Sequence, residues 1–305
     1  MSVFTAIRVF LLLLPLTLAA QSYNGFDLSQ AIVPTDNLVA SGVPRDGIPA
    51  LDEPEFIKPA KARFLRDRDR VLGISLGGEQ RAYPLEILNH HEVVNDTIAG
   101  RAVVVTYCPL CATGIAFDVT GQPWQTFGVS GLLYNSDVLL YDRQTGSLWS
   151  QMLAKAISGP AAGYKLHAIP VTHTRWRQWR ERHPDTLVLS TDTGFDRNYR
   201  DNPYETYAET KDIWFPVAHR DKRLNSKARV IGLEINGQFK AYPFSALPRR
   251  TGLVADEFAG QQLTIEYDRN AESGRVLDEN GNEIVTYTAY WFAWVAFHPG
   301  TAIYE

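Results

Sequence analysis

Sulfur is scarce in this chain: of 305 residues only two are cysteine and two methionine. That excludes a small scaffold stapled by several disulfides, so stability must come from packing, for which 45% hydrophobic residues suffice. An excess of either charge is also missing. Thirty Lys and Arg against 34 Asp and Glu give a net charge of −4, which provides no basic field for nucleic acid or anionic lipid. The short basic run "RFLRDRDR" interleaves Asp67 and Asp69 with its arginines and reads as a solvated face. No Gly-rich phosphate loop, His-Glu-x-x-His helix or calcium-loop pattern occurs. "FGVSGLL" lacks the second glycine of a nucleophile elbow.

Long apolar runs are missing too, apart from residues 9–18 near the start. With Arg8 before it and Ala19-Ala20 after it, this run has the layout of a secretory leader cleaved near Gln21. Ten residues are too few for a membrane span, which needs about 20. The expected location is therefore periplasmic or secreted, with no transmembrane span once the leader is removed.

What is present is self-similarity. "VLGISLGGEQRAYPL" (71–85) aligns without a gap on "VIGLEINGQFKAYPF" (230–244), and "DTIAGRAVVVTY" (96–107) on "DEFAGQQLTIEY" (256–267). Each stretch opens as a hairpin around Gly77-Gly78 or Asn236-Gly237, pairs suited to a type I′ turn. A proline then ends the second strand and leads into a short helix, "PLEILNHHE" or "PFSALPRRT". Further strands are expected at "IAFDV", "WQTFGV", "VLLYD", "TLVLS" and "YTAYWFAWVAF", the last as a buried terminal strand, with one helix in "THTRWRQWRERHPD". The expected fold is mainly β with a few short helices, two diverged copies of a β-rich unit packed into one globular body. Its segments would be a signal peptide at 1–20, an N-terminal extension at 21–54, a first repeat at 55–229 and a second, degenerate repeat at 230–305.

Both cysteines fall in "YCPLCATG", as Cys108 and Cys111. Where the first stretch has them, the second has Asp268 and Ala271, and where the first has His90 and His91, the second has Arg249 and Arg250. The turn thus forms without thiols, so the thiols read as an addition to it. Cys-Pro-x-Cys is the spacing of a metal knuckle that aims two thiolates at one cation, and His90 or His91 would complete a shell for Zn²⁺ or Cu⁺. The rival is a dithiol–disulfide pair, with Cys108 and Cys111 catalytic, since an exported chain meets an oxidising compartment. The plain alternative is a structural pair. The segment 128–151 supplies a candidate polar pocket wall in Asn135, Asp137, Asp142, Arg143, Trp149 and Ser150, or else simply hairpin turns. His167, His173, His183, His219 and His298 are scattered and read as structural.

The combination of "YCPLCATGIAFD", "GVSGLLYNSDVLLYDRQTGSLWSQ", "HPDTLVLS" and "FHPGTAIYE" resembles the bacterial and archaeal family designated domain of unknown function 3179, over about residues 55–305. The resemblance implies an exported protein and carries no enzymatic activity with it. Three functions stay open at this point. The first is a periplasmic metal-binding protein. The second is a thiol-disulfide oxidoreductase, and the third a non-enzymatic ligand-binding module. Their partners would be a small molecule or a protein of metal delivery or redox exchange.

Overall fold

The computed structural model describes residues 22–305, so the expected leader lies outside the described residues. The described residues are mainly β, as expected, with four short α-helices at Leu85–His91, Trp176–Arg182, Glu205–Glu209 and Trp291–Phe297. The sheets correct the expectation of two diverged copies packed together. Five sheets of four or five strands, with a small two-stranded one, form a five-bladed propeller-like arrangement. One of the five has no counterpart among the described residues. It runs in the order 155–158, 148–150, 137–142, 127–134, 38–40, and the last strand comes from the N-terminal extension.

The aligned stretches nonetheless share local geometry. Strands Arg70–Leu76 and Glu79–Pro84 pair from Val71–Pro84 to Leu76–Glu79, and Arg229–Ile235 and Gln238–Pro243 pair from Val230–Pro243 to Ile235–Gln238. The Tyr83 hydroxyl donates to Asp96 (2.5 Å), and that of Tyr242 to Asp256 (2.7 Å). A glycine in each first strand lets a tryptophan lie flat on the backbone. A Cβ at Gly73 would enter the Trp179 ring, and one at Gly232 the Trp294 ring. Trp179 Nε1 donates to Thr186 (2.9 Å) and Trp294 Nε1 to Thr301 (3.1 Å).

Two expected elements differ. "WFAWVAF" is a helix, because Trp291 through Ala296 are all buried and no polar face is left to reveal its period. "PFSALPRRT" makes a single turn, with Ala246 and Leu247 N–H both donating to the Pro243 carbonyl, before Pro248 stops it. The helix Leu85–His91 forms as expected and ends at Glu92, whose left-handed backbone (φ 57°) closes the last turn onto the Leu88 carbonyl. No helix among the described residues is long and apolar enough to cross a membrane.

Candidate metal centre

Strands Arg101–Cys108 and Thr113–Asp118 form a hairpin closed by the pair Cys108–Thr113. Pro109 fixes the entry into the turn, Ala112 N–H donates back to the Pro109 carbonyl, and Ala112 takes a left-handed φ of 50°. This geometry aims both sulfurs to one side. The Cys111 carbonyl accepts from the Tyr290 amide (2.8 Å), which ties the turn to strand Tyr287–Tyr290.

A second hairpin lies over the thiols. Strands Phe127–Tyr134 and Asp137–Asp142 meet at Asn135-Ser136, both with positive φ (52° and 65°), the demand of a type I′ turn that glycine usually meets. A side chain in that region costs about 1–2 kcal/mol, so the surroundings must hold Ser136 there. Its hydroxyl donates to the Phe215 carbonyl (2.7 Å), and Asn135 Oδ1 accepts from the Ala218 amide (2.8 Å). Its own carbonyl accepts from the Cys111 thiol at 3.3 Å, with the Cys108 thiol at 3.8 Å. Asp137 follows, so its carboxylate meets the two sulfurs. The ligand atoms of Cys108, Cys111 and Asp137 lie within 4.8 Å of one another, and all three residues are buried.

The electrostatics are dominated by burial. Burial pushes both thiols up, Cys111 furthest, and Asp137 adds to it. Burial also raises Asp137 to about 7, against a hydrogen bond from the Met152 amide (3.1 Å). Its second oxygen, Oδ1, has no partner. A second buried carboxyl, Glu92, is raised to about 8, again mainly by burial, with Asp137 adding and the Tyr204 hydroxyl (3.2 Å) opposing. The Tyr207 hydroxyl is buried near the sulfurs and also lacks a partner. In each case burial is the largest cause.

Both thiols are free, so no disulfide joins them. A tetrahedral zinc shell with Zn–S bonds of about 2.3 Å holds its sulfurs about 3.8 Å apart, so closing this trio needs movements of about 1 Å or less.

The histidines are not part of the site. The end of helix 85–91 turns His91 away, into a pocket where Nδ1 donates to the Pro49 carbonyl (2.8 Å) and Nε2 accepts from the Tyr199 hydroxyl (2.7 Å). Burial lowers it to about 4, so it is neutral with both nitrogens engaged. His90 faces the other way, to the Asp201 carbonyl (2.8 Å). Of the expected pocket wall only Asp137 reaches the sulfurs. Asp142 accepts from Trp149 Nε1 (2.8 Å) and the Thr145 amide (2.6 Å), Arg143 pairs with Asp52 (2.5 Å), and Ser150 caps the Leu153 amide (3.3 Å). These groups, like Asn135, hold turns together.

Glu92, Tyr204 and Tyr207 are the residues that sequence reasoning passed over. Glu92 stands directly after the His pair, and a signal was present in the helix stop it makes as a non-glycine residue. The tyrosines come from helix Glu205–Glu209 and the residue before it, and nothing in their local pattern links them to the cysteines.

A cavity of about 240 Å³ is lined by Glu92, Leu110, Val138 and Tyr204 together with apolar side chains; Cys108, Cys111 and Asp137 do not line it. A larger open groove of about 590 Å³ lies elsewhere, between helix Trp176–Arg182 and strand Gln261–Asp268. Arg182 and Arg275 both pair with Glu266 there, while the Gln178 side-chain oxygen on its wall is buried without a partner.

No curated protein and no solved structure matches the chain. A family profile does, over residues 45–301, which spans the cysteine turn, the hairpin above it and the closing aromatic helix. The chain therefore belongs to the family described as protein of unknown function DUF3179.

Proposed function

We propose that the protein is an exported metal-binding protein that holds Zn²⁺ through Cys108, Cys111 and Asp137. One observation carries this reading: two thiols and a carboxylate converge within 4.8 Å in a buried place, and Asp137 Oδ1 is left without a partner. Burying acids together is costly unless a cation joins them. A dication would lower all three acids at once and take up the free oxygen. Two sulfurs with one carboxylate oxygen suit Zn²⁺ better than Cu⁺, which favours soft donors alone. Export rests on the expected leader. Partners of metal delivery, or a small-molecule ligand of the site, fit the same reading.

Thiol–disulfide exchange has one point in its favour, the closeness of two free thiols. Against it stand their complete burial and their raised pKa values, since reactive thiols are exposed and acidic.

Metal analysis and thiol counting on anaerobically purified protein test the proposal. One zinc per chain is expected, with two thiols that react only after chelation. Protein without stoichiometric metal, taking up none on titration, contradicts it.

A further inference from the structure

Each of the two aligned stretches is preceded by an arginine, Arg70 before Val71 and Arg229 before Val230. The fold brings both side chains to one carboxylate. Arg70 Nη2 donates to Glu272 Oε2 at 2.7 Å, and Arg229 Nε stands 3.8 Å from that same oxygen. Arg175 adds a third cation, since it pairs with Arg70 across neighbouring strands and its guanidinium donates to a neutral acceptor, the Asn270 carbonyl (2.7 Å). Among the described residues Glu272 is the one carboxylate within 4 Å of Arg70 or Arg229. Burial, and after it the charge of Arg229, lowers Arg70 to about 10, so it stays charged at neutral pH. His173, lowered to about 3 by burial and then by Arg229, adds no charge of its own. Three cations therefore share one anion where the two aligned regions touch.

Their donors are not used up. Arg70 Nη1, Arg229 Nε and Arg229 Nη2 are all buried without a hydrogen-bond partner among the described residues. Unpaired charged donors in a buried place are costly, and each calls for an ion or a function to explain it. We propose that Arg70 and Arg229 form a binding site for a tetrahedral oxyanion of the phosphate or sulfate class, and that Glu272 occupies the site until the anion displaces it. Glu272 is the movable member, with a side chain 41% exposed against 11% for Arg229. Guanidinium forks match the oxygens of such an ion. Its four oxygens can serve the three unpaired nitrogens together with Arg70 Nη2, which the two oxygens of Glu272 do not. With Glu272 turned out, the three arginines favour a dianion over a halide. The burial of the nitrogens admits a compact ion, or the phosphate end of an ester, and no bulky polyanion. None of these residues belongs to the thiol site, so this reading and the metal reading stand or fall separately.

The probes are inorganic phosphate, sulfate and chloride at equal ionic strength, read by calorimetric titration and by the shift of the thermal unfolding midpoint. Saturable binding of phosphate and sulfate is expected, with chloride at least tenfold weaker. Arg229→Gln should abolish it. Glu272→Gln removes the competing carboxylate and should tighten binding at least tenfold, a gain that a merely structural ion pair would not give. That arm decides the matter even if Arg229→Gln does not fold. Methyl phosphate separates the two sources of the ligand: binding as tight as that of inorganic phosphate assigns the site to a phosphate ester, and weaker binding assigns it to the free ion. No saturable binding in wild type and Glu272→Gln alike, chloride binding as tightly as phosphate, or a Glu272→Gln variant that binds no tighter than wild type overturns the proposal.

Discussion

Two hairpin ends of equal length, Cys108–Thr113 and Asp268–Ser273, adopt the same turn for different purposes. In the second, Asp268 Oδ1 accepts from the Asn270 and Ala271 amides, both at 3.0 Å. In the first, Cys108 and Cys111 stand at the aligned positions, and the Ala112 amide donates to the Pro109 carbonyl (3.4 Å). The following residues, Ala112 and Glu272, share a left-handed φ of 50° and 45°. Above the second turn no hairpin descends, and Glu272 pairs instead with Arg70 (2.7 Å). The turn is thus a property of the hairpin. The site arises where strands 127–142, which have no counterpart, lower Ser136 and Asp137 onto one turn and not the other.

The largest effect should follow from removing the thiols. Cys108→Ser or Cys111→Ser is expected to weaken zinc binding by more than the roughly 10–100-fold typical of outer-sphere changes, as read by competition with a chromophoric chelator. Installing the pair in the other turn, through Asp268→Cys with Ala271→Cys, should create no comparable site, because nothing there supplies Asp137. Tight zinc binding by that variant, with the native thiols replaced, would mean that the turn alone makes the site.

Stability offers a test in which the two regions should behave alike. Gly73→Ala and Gly232→Ala each force a methyl against a tryptophan ring, and each should cost about 1–3 kcal/mol in denaturant unfolding. A smaller loss, about 1 kcal/mol, is expected for Asp268→Ala, which removes two amide partners at the edge of the second turn. A cost confined to one glycine would break the local equivalence.

The smallest effect is on pH dependence. Folding raises Asp137 from 3.8 to about 7 and Glu92 from 4.5 to about 8, so their contribution is full below about pH 4 and is lost as pH rises through 7 to 8. His91 and His173 are lowered from 6.5 to about 4 and 3, so their contribution is present above 6.5 and lost as pH falls. Between pH 6.5 and 8 the histidines are level, and chelated protein should lose stability with rising pH. Asp137→Asn with Glu92→Gln should flatten that slope, and zinc should reverse it because thiolate ligands must shed protons. A chelated protein whose stability climbs over this range would contradict the account of the buried acids.

Much of the scaffold was legible because its signals are local. Gly77-Gly78 and Asn236-Gly237 marked both hairpins, and the proline after each Tyr ended the strands where pairing stops. The terminal helix was hidden by its burial, although "WRQWRERHPDT" laid over "WFAWVAFHPGT" matches Trp176, Trp179, His183, Pro184 and Thr186 with Trp291, Trp294, His298, Pro299 and Thr301. Of the site, Cys108 and Cys111 could be read from spacing and from their absence in the second stretch. Asp137 could be read only as one of six residues of a polar wall, because its meeting with the sulfurs depends on how a separate hairpin packs, and nothing local marks Glu92 beside His90 and His91.

X-ray absorption at the zinc edge, on protein purified with its native metal, tests the central claim most directly. The account predicts two sulfurs at about 2.3 Å with oxygen at about 2.0–2.2 Å, and loss of one oxygen contribution in Asp137→Asn. A shell without sulfur, or one in which Asp137→Asn leaves the spectrum unchanged, would contradict it.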